Sequence, residues 1–251
     1  MSTPEIRRGT TRGVMRNEWL DARFSFSFAD YDDPSRRRFG PLLALNEDTV
    51  QPGTGFPMHP HRDLEIVVLP LSGAVEHHDD LGGHGIVRPG QWQWMRAGTG
   101  IRHRQWNPSL VASEQHVQIW LEPSARGLAP RVEAFAIEAL KPGSWRTLVS
   151  RKPIAAAKDL GVDVTLSLGA ATAGRPLTCD AHAGGRYVHV VEGEVDALVH
   201  GSGVATLAPG DALVFFDGAP GLDLKTTGHG RLLCFDTPAV DRLTGLSVDR
   251  P

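Results

Sequence analysis

Cysteine is scarce in this chain of 251 residues, where Cys179 and Cys234 are the only two. They form neither a CxxC pair nor the closely spaced set of a disulfide framework, and such usage is typical of proteins from a reducing compartment. We interpret both as small buried apolar side chains.

Long apolar runs and an excess of one charge are also lacking. No stretch approaches the roughly 18 apolar residues that a membrane span requires, and the opening residues MSTPEIRRGTTRG lack the apolar segment of a secretory signal. The net charge of −3 gives no electrostatic reason to expect nucleic acid or an acidic membrane as a direct partner. The sequence therefore predicts a cytoplasmic protein that binds neither.

Helical periodicity is nearly absent. Short apolar runs such as EIVVLPL, QWQWM, VQIWL, YVHVV and DALVFF alternate with turn segments such as LSG, RPGQ, EGE and APGD. Runs of this length between Gly, Pro and Asp are typical of many short strands. The chain is predicted to be all-β.

An internal repeat indicates two similar domains. LSGAV at 71–75 recurs as VEGEV at 191–195, and RPGQW at 88–92 recurs as APGDA at 208–212. Both pairs are offset by 120 residues, so two strand-turn-strand units of equal size follow one another. The predicted domains are residues 1–135 and 136–251.

The segment MHPHRDLE carries the first chemical signal. Alternate residues of a strand face the same side, so His59 and His61 point together with their backbones about 6 to 7 Å apart. In GIRHRQWN the same rule places His103 and Gln105 on one face. Two such strands facing each other across a small barrel would bring four donors to one point, although an isolated HxH pair is weak evidence for a metal.

The wider pattern strengthens the signal. Gly53, His59, His61 and Glu65, followed by Gly90, Gly98, His103 and Asn107, resemble the two motifs of the cupin superfamily, small jelly-roll barrels with an internal metal. The segments WLDARFSFSFADYDDP, FPMHPHRDLEIVVLPLSGAVEHHDDLGG, PGQWQWMRAGTGIRHRQWNPS and QIWLEP are similar to the pirin family of bicupins, especially bacterial members assigned quercetin 2,3-dioxygenase activity.

This resemblance implies two tandem cupin domains and a mononuclear iron site in the first of them. It also implies dioxygenase cleavage of flavonols in some members and a regulatory protein-binding role in others. His59, His61 and His103 match the three family histidines, whereas Gln105 stands where the family has a glutamate ligand. At the positions equivalent to His59 and His61 the second domain has Cys179 and Ala181, so we expect it to be metal-free.

Gln105 changes the expected chemistry, because a neutral amide oxygen cannot supply the charge of a carboxylate. Metal affinity should fall, although three neutral imidazoles can still bind Fe(II), the expected metal, or Ni, Cu, Zn or Mn. Glu65 is four residues after His61, so on one strand both side chains would point to the same face, but about 13 Å of straight strand would separate them. It is our candidate catalytic base, and a structural or ligand-orienting role is the alternative.

Other candidates have two interpretations each. His77, His78 and His84 fall in a polar segment, EHHDDLGGHG, that suits a solvated turn better than a second metal. His116 and Gln118 share a face with Trp120 and either line the barrel or belong to its core. Trp92, Trp94 and Trp106 suit either core packing or the walls of a pocket for a flat aromatic substrate.

Two functions of different classes follow. The first is a metal-dependent dioxygenase that uses O2 to cleave a flavonol or a similar aromatic enol. The second is a non-catalytic sensor or interaction module with a regulatory protein partner, for which Gln105 is the main argument.

Overall fold

A computed structural model of the chain describes residues 4–200 and 203–248. Nearly all regular structure in these ranges is β-strand, with short 3₁₀ helices at Gly9–Thr11 and Pro34–Arg36. No helix there is long and apolar enough to cross a membrane. The prediction of an all-β chain is confirmed.

The chain divides into two compact units. The N-terminal domain contains residues 13–37 and 42–138, and the C-terminal domain contains the residues up to Arg12, residues 38–41 and those from Ala139 onward. The main division falls between Glu138 and Ala139. The first residues differ from the prediction, because strand Glu5–Arg7 pairs with strand Ala212–Phe215 at the edge of a C-terminal sheet.

The N-terminal domain consists of two antiparallel sheets. Its strands are β2 (Gly13–Arg16), β3 (Leu20–Phe24), β4 (Leu42–Val50), β5 (Gly55–His61), β6 (Glu65–Ser72), β7 (Val75–Asp79), β8 (His84–Val87), β9 (Gln91–Arg96), β10 (Ile101–Trp106), β11 (Glu114–Leu121) and β12 (Arg131–Ala136). The larger sheet has the order β12-β9-β6-β11-β4-β3-β2, and the smaller has the order β5-β10-β7-β8.

The C-terminal domain repeats this arrangement. Its strands are β1 (Glu5–Arg7), β13 (Ser144–Val149), β14 (Thr165–Thr172), β15 (Leu177–Cys179), β16 (Gly185–Glu192), β17 (Val195–Val199), β18 (Gly203–Leu207), β19 (Ala212–Phe215), β20 (Leu222–Lys225) and β21 (His229–Thr237). The larger sheet has the order β1-β19-β16-β21-β14-β13, and the smaller has the order β15-β20-β17-β18.

The two sheet orders match strand for strand. The order β9-β6-β11-β4 corresponds to β19-β16-β21-β14, and β5-β10-β7-β8 corresponds to β15-β20-β17-β18. Gly73 and Gly193 form the equivalent β6–β7 and β16–β17 turns with φ of 71° and 76°, a conformation that favours glycine. The repeat in the sequence is therefore a repeat of the eight-stranded jelly roll, and the prediction of two tandem cupin domains is confirmed.

The interiors of the two barrels differ at equivalent strands. In the C-terminal domain, Leu177 and Cys179 on β15 and Leu222 and Leu224 on β20 are buried in an apolar cluster that also includes Cys234. Both cysteines are free and buried, as predicted. In the N-terminal domain the equivalent strands, β5 and β10, carry the predicted polar ligands instead.

Candidate metal centre

Strands β5 and β10 pair antiparallel and bring the predicted ligands together. His103 on β10 lies directly opposite His59 on β5, and Ile101 lies opposite His61. The register then shifts between His103 and Gln105, so that Gln105 pairs with Phe56. This shift is a β-bulge in β5, a feature that redirects local backbone groups.

The three predicted histidines converge. Each of His59, His61 and His103 offers a ring nitrogen within 4.8 Å of those of the other two. The ring centroids are 4.5 Å apart for His59 and His103, 4.7 Å for His59 and His61, and 5.0 Å for His61 and His103. Three imidazoles in such a group are a donor set that suits a divalent first-row metal.

A backbone carbonyl of the bulge orients His59. Nδ1 of His59 donates a hydrogen bond to the carbonyl oxygen of Pro57 at 2.7 Å. With its hydrogen on Nδ1, the neutral ring has its lone pair on Nε2. A metal-binding histidine is normally held in this way through its other nitrogen.

A second imidazole and a carboxylate orient His103. Nε2 of His77 donates to Oδ2 of Asp79 at 2.9 Å, and the ring nitrogens Nδ1 of His77 and His103 are 3.3 Å apart. The hydrogen on Nε2 of His77 leaves its Nδ1 as an acceptor, so His103 donates from Nδ1. Nε2 of His103 is consequently an unprotonated nitrogen, and it is buried with no hydrogen-bond partner among the described residues.

His77 is not among the site residues predicted from the sequence. The composition of EHHDD suits a polar turn, but Val75–Asp79 is strand β7, and it pairs with β10. In a strand, successive side chains point to opposite faces, which places His77 and Asp79 on one face and His78 on the other. Knowledge that β7 is adjacent to β10 was also required, and that adjacency is a property of the fold.

Burial keeps two of the predicted ligand imidazoles neutral. Desolvation, assisted by the neighbouring His59, lowers the pKa of His61 to about 4. Desolvation and the nearby imidazoles of His59, His61 and His77 lower the pKa of His103 to about 2. Neutral imidazole is the form that binds metal, so these two rings need no deprotonation at neutral pH.

Gln105 is buried beside the histidines, but its carbonyl is already engaged. Trp120 donates from Nε1 to Oε1 of Gln118 at 2.7 Å, which orients that amide, and Nε2 of Gln118 donates to Oε1 of Gln105 at 3.2 Å. Nε2 of Gln105 is buried and has no hydrogen-bond partner in the described part of the chain. Gln105 therefore contributes a free N–H donor to the site, and a donor cannot bind a cation.

Glu65, the predicted base, is not brought to the histidines. It is buried and accepts hydrogen bonds from Nε1 of Trp94 at 2.5 Å and from Nε of Arg96 at 2.8 Å. Both carboxylate oxygens are thus held across strands β6 and β9. This arrangement favours the structural role that was the alternative.

A cavity of about 230 Å³ adjoins the histidines. Its lining is mainly apolar and aromatic. The lining residues are Met15, Leu20, Ala22, Phe24, Phe28, Ala29, Asp48, Phe56, His59, His61, Gln105, Gln118 and Trp120. Trp120 packs edge-on against both Phe28 and His61, with centroid distances of 4.9 Å and 5.0 Å.

The aromatic walls differ from those considered from the sequence. Trp92 and Trp94 are buried and do not line the cavity, and neither does Trp106. Trp120 and three phenylalanines form the walls instead. From the sequence, His116 and Gln118 on β11 could each line the barrel or belong to its core. Gln118 lines the cavity, whereas His116 is buried and does not.

A second histidine cluster lies on the surface of the same sheet. Glu76, His78 and His84 bring ligand atoms within 4.8 Å of one another. Nε2 of His78 and of His84 are 3.3 Å and 3.2 Å from the same oxygen of Glu76. Because His84 is more than half exposed, this cluster is open to solvent, unlike the centre at His103.

Asp79→Asn should weaken metal binding about 10- to 100-fold, the cost typical of losing a partner of a ligand histidine. Oδ1 of Asp79 accepts hydrogen bonds from the amides of Leu81 and Gly83, so an asparagine would keep its oxygen there and turn its NH₂ group towards His77. His77 would then carry its hydrogen on Nδ1, and His103 would be forced to carry its own on Nε2.

Metal titration of the purified protein tests this, with Asp80→Asn on the same loop as the matched control. Asp80 accepts from the amide of Arg102 and does not contact His77. Equal affinities for the two variants would contradict the inferred hydrogen-bond chain.

Comparison with known proteins adds independent findings. A family model described as pirin matches residues 7–121. The quercetin 2,3-dioxygenase of Escherichia coli K12 is 41% identical over 136 residues, which are 54% of this chain and 59% of that protein. A putative quercetin 2,3-dioxygenase of Mycobacterium tuberculosis is 43% identical over 137 residues, which are 55% of this chain and 56% of that protein. The chain thus matches under two thirds of the length of these relatives.

Solved structures match over almost the whole chain. The crystal structure of YhhW from Escherichia coli aligns with a TM-score of 0.86 at 31% identity, covering 95% of this chain and 99% of that one. The structure described as bacterial pirin YhhW in complex with nickel(II) aligns with a TM-score of 0.85 at 30% identity, covering 95% and 100%.

Proposed function

Because the chain belongs to the pirin family of bicupins, we propose that it is a metal-dependent dioxygenase that uses O2 to cleave a flavonol or a similar aromatic enol. The observation that supports this best is the convergence of three imidazoles beside a cavity with aromatic walls. The names of the curated relatives agree with this reaction class.

His59, His61 and His103 would hold the metal. The unprotonated, unpartnered Nε2 of His103 fits such an ion, since a buried nitrogen lone pair without a donor is otherwise unfavourable. A bound divalent ion would supply Lewis acidity towards the substrate oxygens and the redox chemistry that O2 requires. We propose Fe(II), with Ni, Cu, Zn and Mn as alternatives, because imidazole suits several of these metals.

The cavity supports a flat aromatic substrate. Rings pack favourably edge-on against aromatic walls such as Phe28, Phe56 and Trp120. Its volume is below the range of roughly 300 to 1,000 Å³ typical of sites for drug-sized ligands, so the site suits a small, flat molecule better than a bulky one. The free N–H of Gln105 can donate to an oxygen of the bound substrate and so orient it.

The test is flavonol cleavage by protein reconstituted with Fe(II). Loss of the flavonol absorbance band, coupled to O2 consumption of one equivalent and to incorporation of both atoms of labelled O2, is the expected result. Protein treated with a chelator and assayed in parallel is the control. Absence of turnover in fully metal-loaded protein, with quercetin and with smaller aromatic enols, would overturn the proposal.

Gln105 favours a second candidate, a non-catalytic sensor or interaction module that acts through a regulatory protein partner. The neutral amide adds no charge to the donor set, and its oxygen is held by Gln118. Under this candidate the purified protein contains little metal and cleaves no flavonol. The metal content of the parent protein separates the two candidates.

A further inference from the structure

Three buried ionisable side chains lie together across strands β4 and β11. His116 on β11 is directly opposite Asp48 on β4. Nδ1 of His116 is 3.0 Å from Oε1 of Glu114, and its Nε2 is 3.4 Å from Oδ2 of Asp48. All three side chains are at most 3% exposed. None of the three was singled out from the sequence as a catalytic group.

One imidazole serves two carboxyl groups in this triad. Burial alone would lower the pKa of His116, but the charge of Glu114 and the contacts with Asp48 outweigh it and raise the pKa to about 10. His116 is therefore an imidazolium at neutral pH. His116 provides one cation for the two carboxyl groups of Glu114 and Asp48, and a buried carboxyl group without a partner of its own is costly unless another group compensates it.

The Asp48 end of the triad lines the cavity. Asp48 lines the cavity together with His59 and His61, whereas His116 and Glu114 do not. Oδ1 of Asp48 is buried and has no hydrogen-bond partner among residues 4–200 and 203–248. A buried acceptor without a donor is unfavourable, and a hydroxyl of a molecule bound in the cavity would supply the missing donor.

The other polar groups around the cavity cannot act as a base. Gln105 and Gln118 are amides, and the three histidines are the proposed metal ligands. Glu65 is held by Trp94 and Arg96 outside the cavity. Among the described residues that line the cavity, Asp48 is the only carboxylate.

We propose that Asp48 is a catalytic residue that accepts the proton of the substrate's enol hydroxyl, a role that rests on the proposed dioxygenase function. The O–H bond of the substrate breaks, its electron pair stays on the substrate oxygen, and the proton bonds to Oδ1 of Asp48. Nε2 of His116 lies 3.4 Å from the other carboxylate oxygen, Oδ2, within ion-pair distance of Asp48. The negative charge ends on the substrate oxygen, and Asp48 accepts the proton that the amide at position 105 has no basicity to accept.

The experiment follows the proton without turnover. Nickel(II)-loaded full-length protein is mixed anaerobically with 3-hydroxyflavone, whose single hydroxyl gives distinct absorbance spectra when neutral and when ionised. A pH indicator in weak buffer counts the protons released. We expect the parent to bind the anion with almost no proton released, because the proton stays on Asp48.

Asp48→Asn should change this outcome. We expect it to bind the flavonol in its neutral form or to release about one proton for each anion bound, and Asp48→Glu should restore the behaviour of the parent. Glu65→Gln removes a buried carboxylate outside the cavity and should leave the spectrum unchanged. Turnover of Asp48→Asn should fall about a hundredfold or more, the contribution typical of a general base.

The outcomes separate the two proposals. A parent that releases about one proton per bound flavonol, or that binds it neutral, would overturn the role of Asp48 even if every variant failed to fold. An Asp48→Asn variant that matches the parent in spectrum and proton count would overturn it as well. A parent that neither binds nor cleaves a flavonol or a smaller aromatic enol would instead overturn the proposed function itself, and the role of Asp48 with it.

Discussion

Replacing His59 with alanine should reduce the metal content of the purified protein from near one equivalent per chain to little or none. His59 is one of three converging imidazoles, and its Nε2 lone pair is directed away from the carbonyl that fixes the ring. Loss of the hydrogen-bond partner of a metal-binding histidine typically lowers metal affinity about 10- to 100-fold, so loss of the histidine itself should lower it further. Elemental analysis of protein purified without chelator from iron-supplemented cells measures this.

The control must account for the exposed histidine cluster. His84→Ala removes one member of the Glu76, His78 and His84 group and should leave the metal content at the level of the parent. The reverse result, metal lost in His84→Ala and kept in His59→Ala, would place the tightly bound ion on the surface of the sheet. Negligible metal in the parent itself would favour the non-catalytic candidate.

Gln105→Glu should raise metal affinity by more than about tenfold, because a carboxylate adds a full charge where the amide adds none. One oxygen of the glutamate would continue to accept the hydrogen bond from Gln118, and the other would be free to bind the ion. The substitution is nearly isosteric, so it should not disturb the β5–β10 pair. Metal titration followed by a chelator-exchange series gives the affinities of parent and variant.

Gln115→Glu is the matched control for this change. It adds the same charge to strand β11, but at an exposed position outside the cavity, and should leave metal affinity unchanged. If Gln105→Glu binds no more tightly than this control, the amide at position 105 is not what limits metal binding. Flavonol turnover of Gln105→Glu, compared with the parent, then shows whether added charge at the ion helps or hinders the reaction.

The two histidine strands show what local sequence predicts about the site. The alternation of a strand predicted that His59 and His61 share one face, and the resemblance to the pirin family supplied His103. Both depend on local spacing or on motifs, which a sequence displays directly. Glu65 satisfied the same parity rule, yet it binds Trp94 and Arg96, because β6 belongs to the larger sheet and β5 to the smaller. The alternation of side chains along a strand predicts which residues share a face, but it cannot predict which sheet the strand joins.

The contacts of the groups around the histidines could be identified only from the fold. His77 reaches His103 because β7 pairs with β10, and Asp48 meets His116 because β4 pairs with β11. In each case the two residues are far apart in sequence, and only the strand order and register bring them together. No spacing rule along the chain encodes such a contact.

By itself, the sequence determined the all-β class and the tandem repeat, since both follow from short-range periodicity and turn residues, and its motifs matched three histidines to those of the pirin family. Tertiary structure alone decided which nitrogen of His59 and of His103 faces the site, which way the amide of Gln105 points, and which carboxylate lines the cavity. These properties depend on hydrogen bonds and burial between strands that are distant in the chain, and such contacts exist only once the sheets have formed.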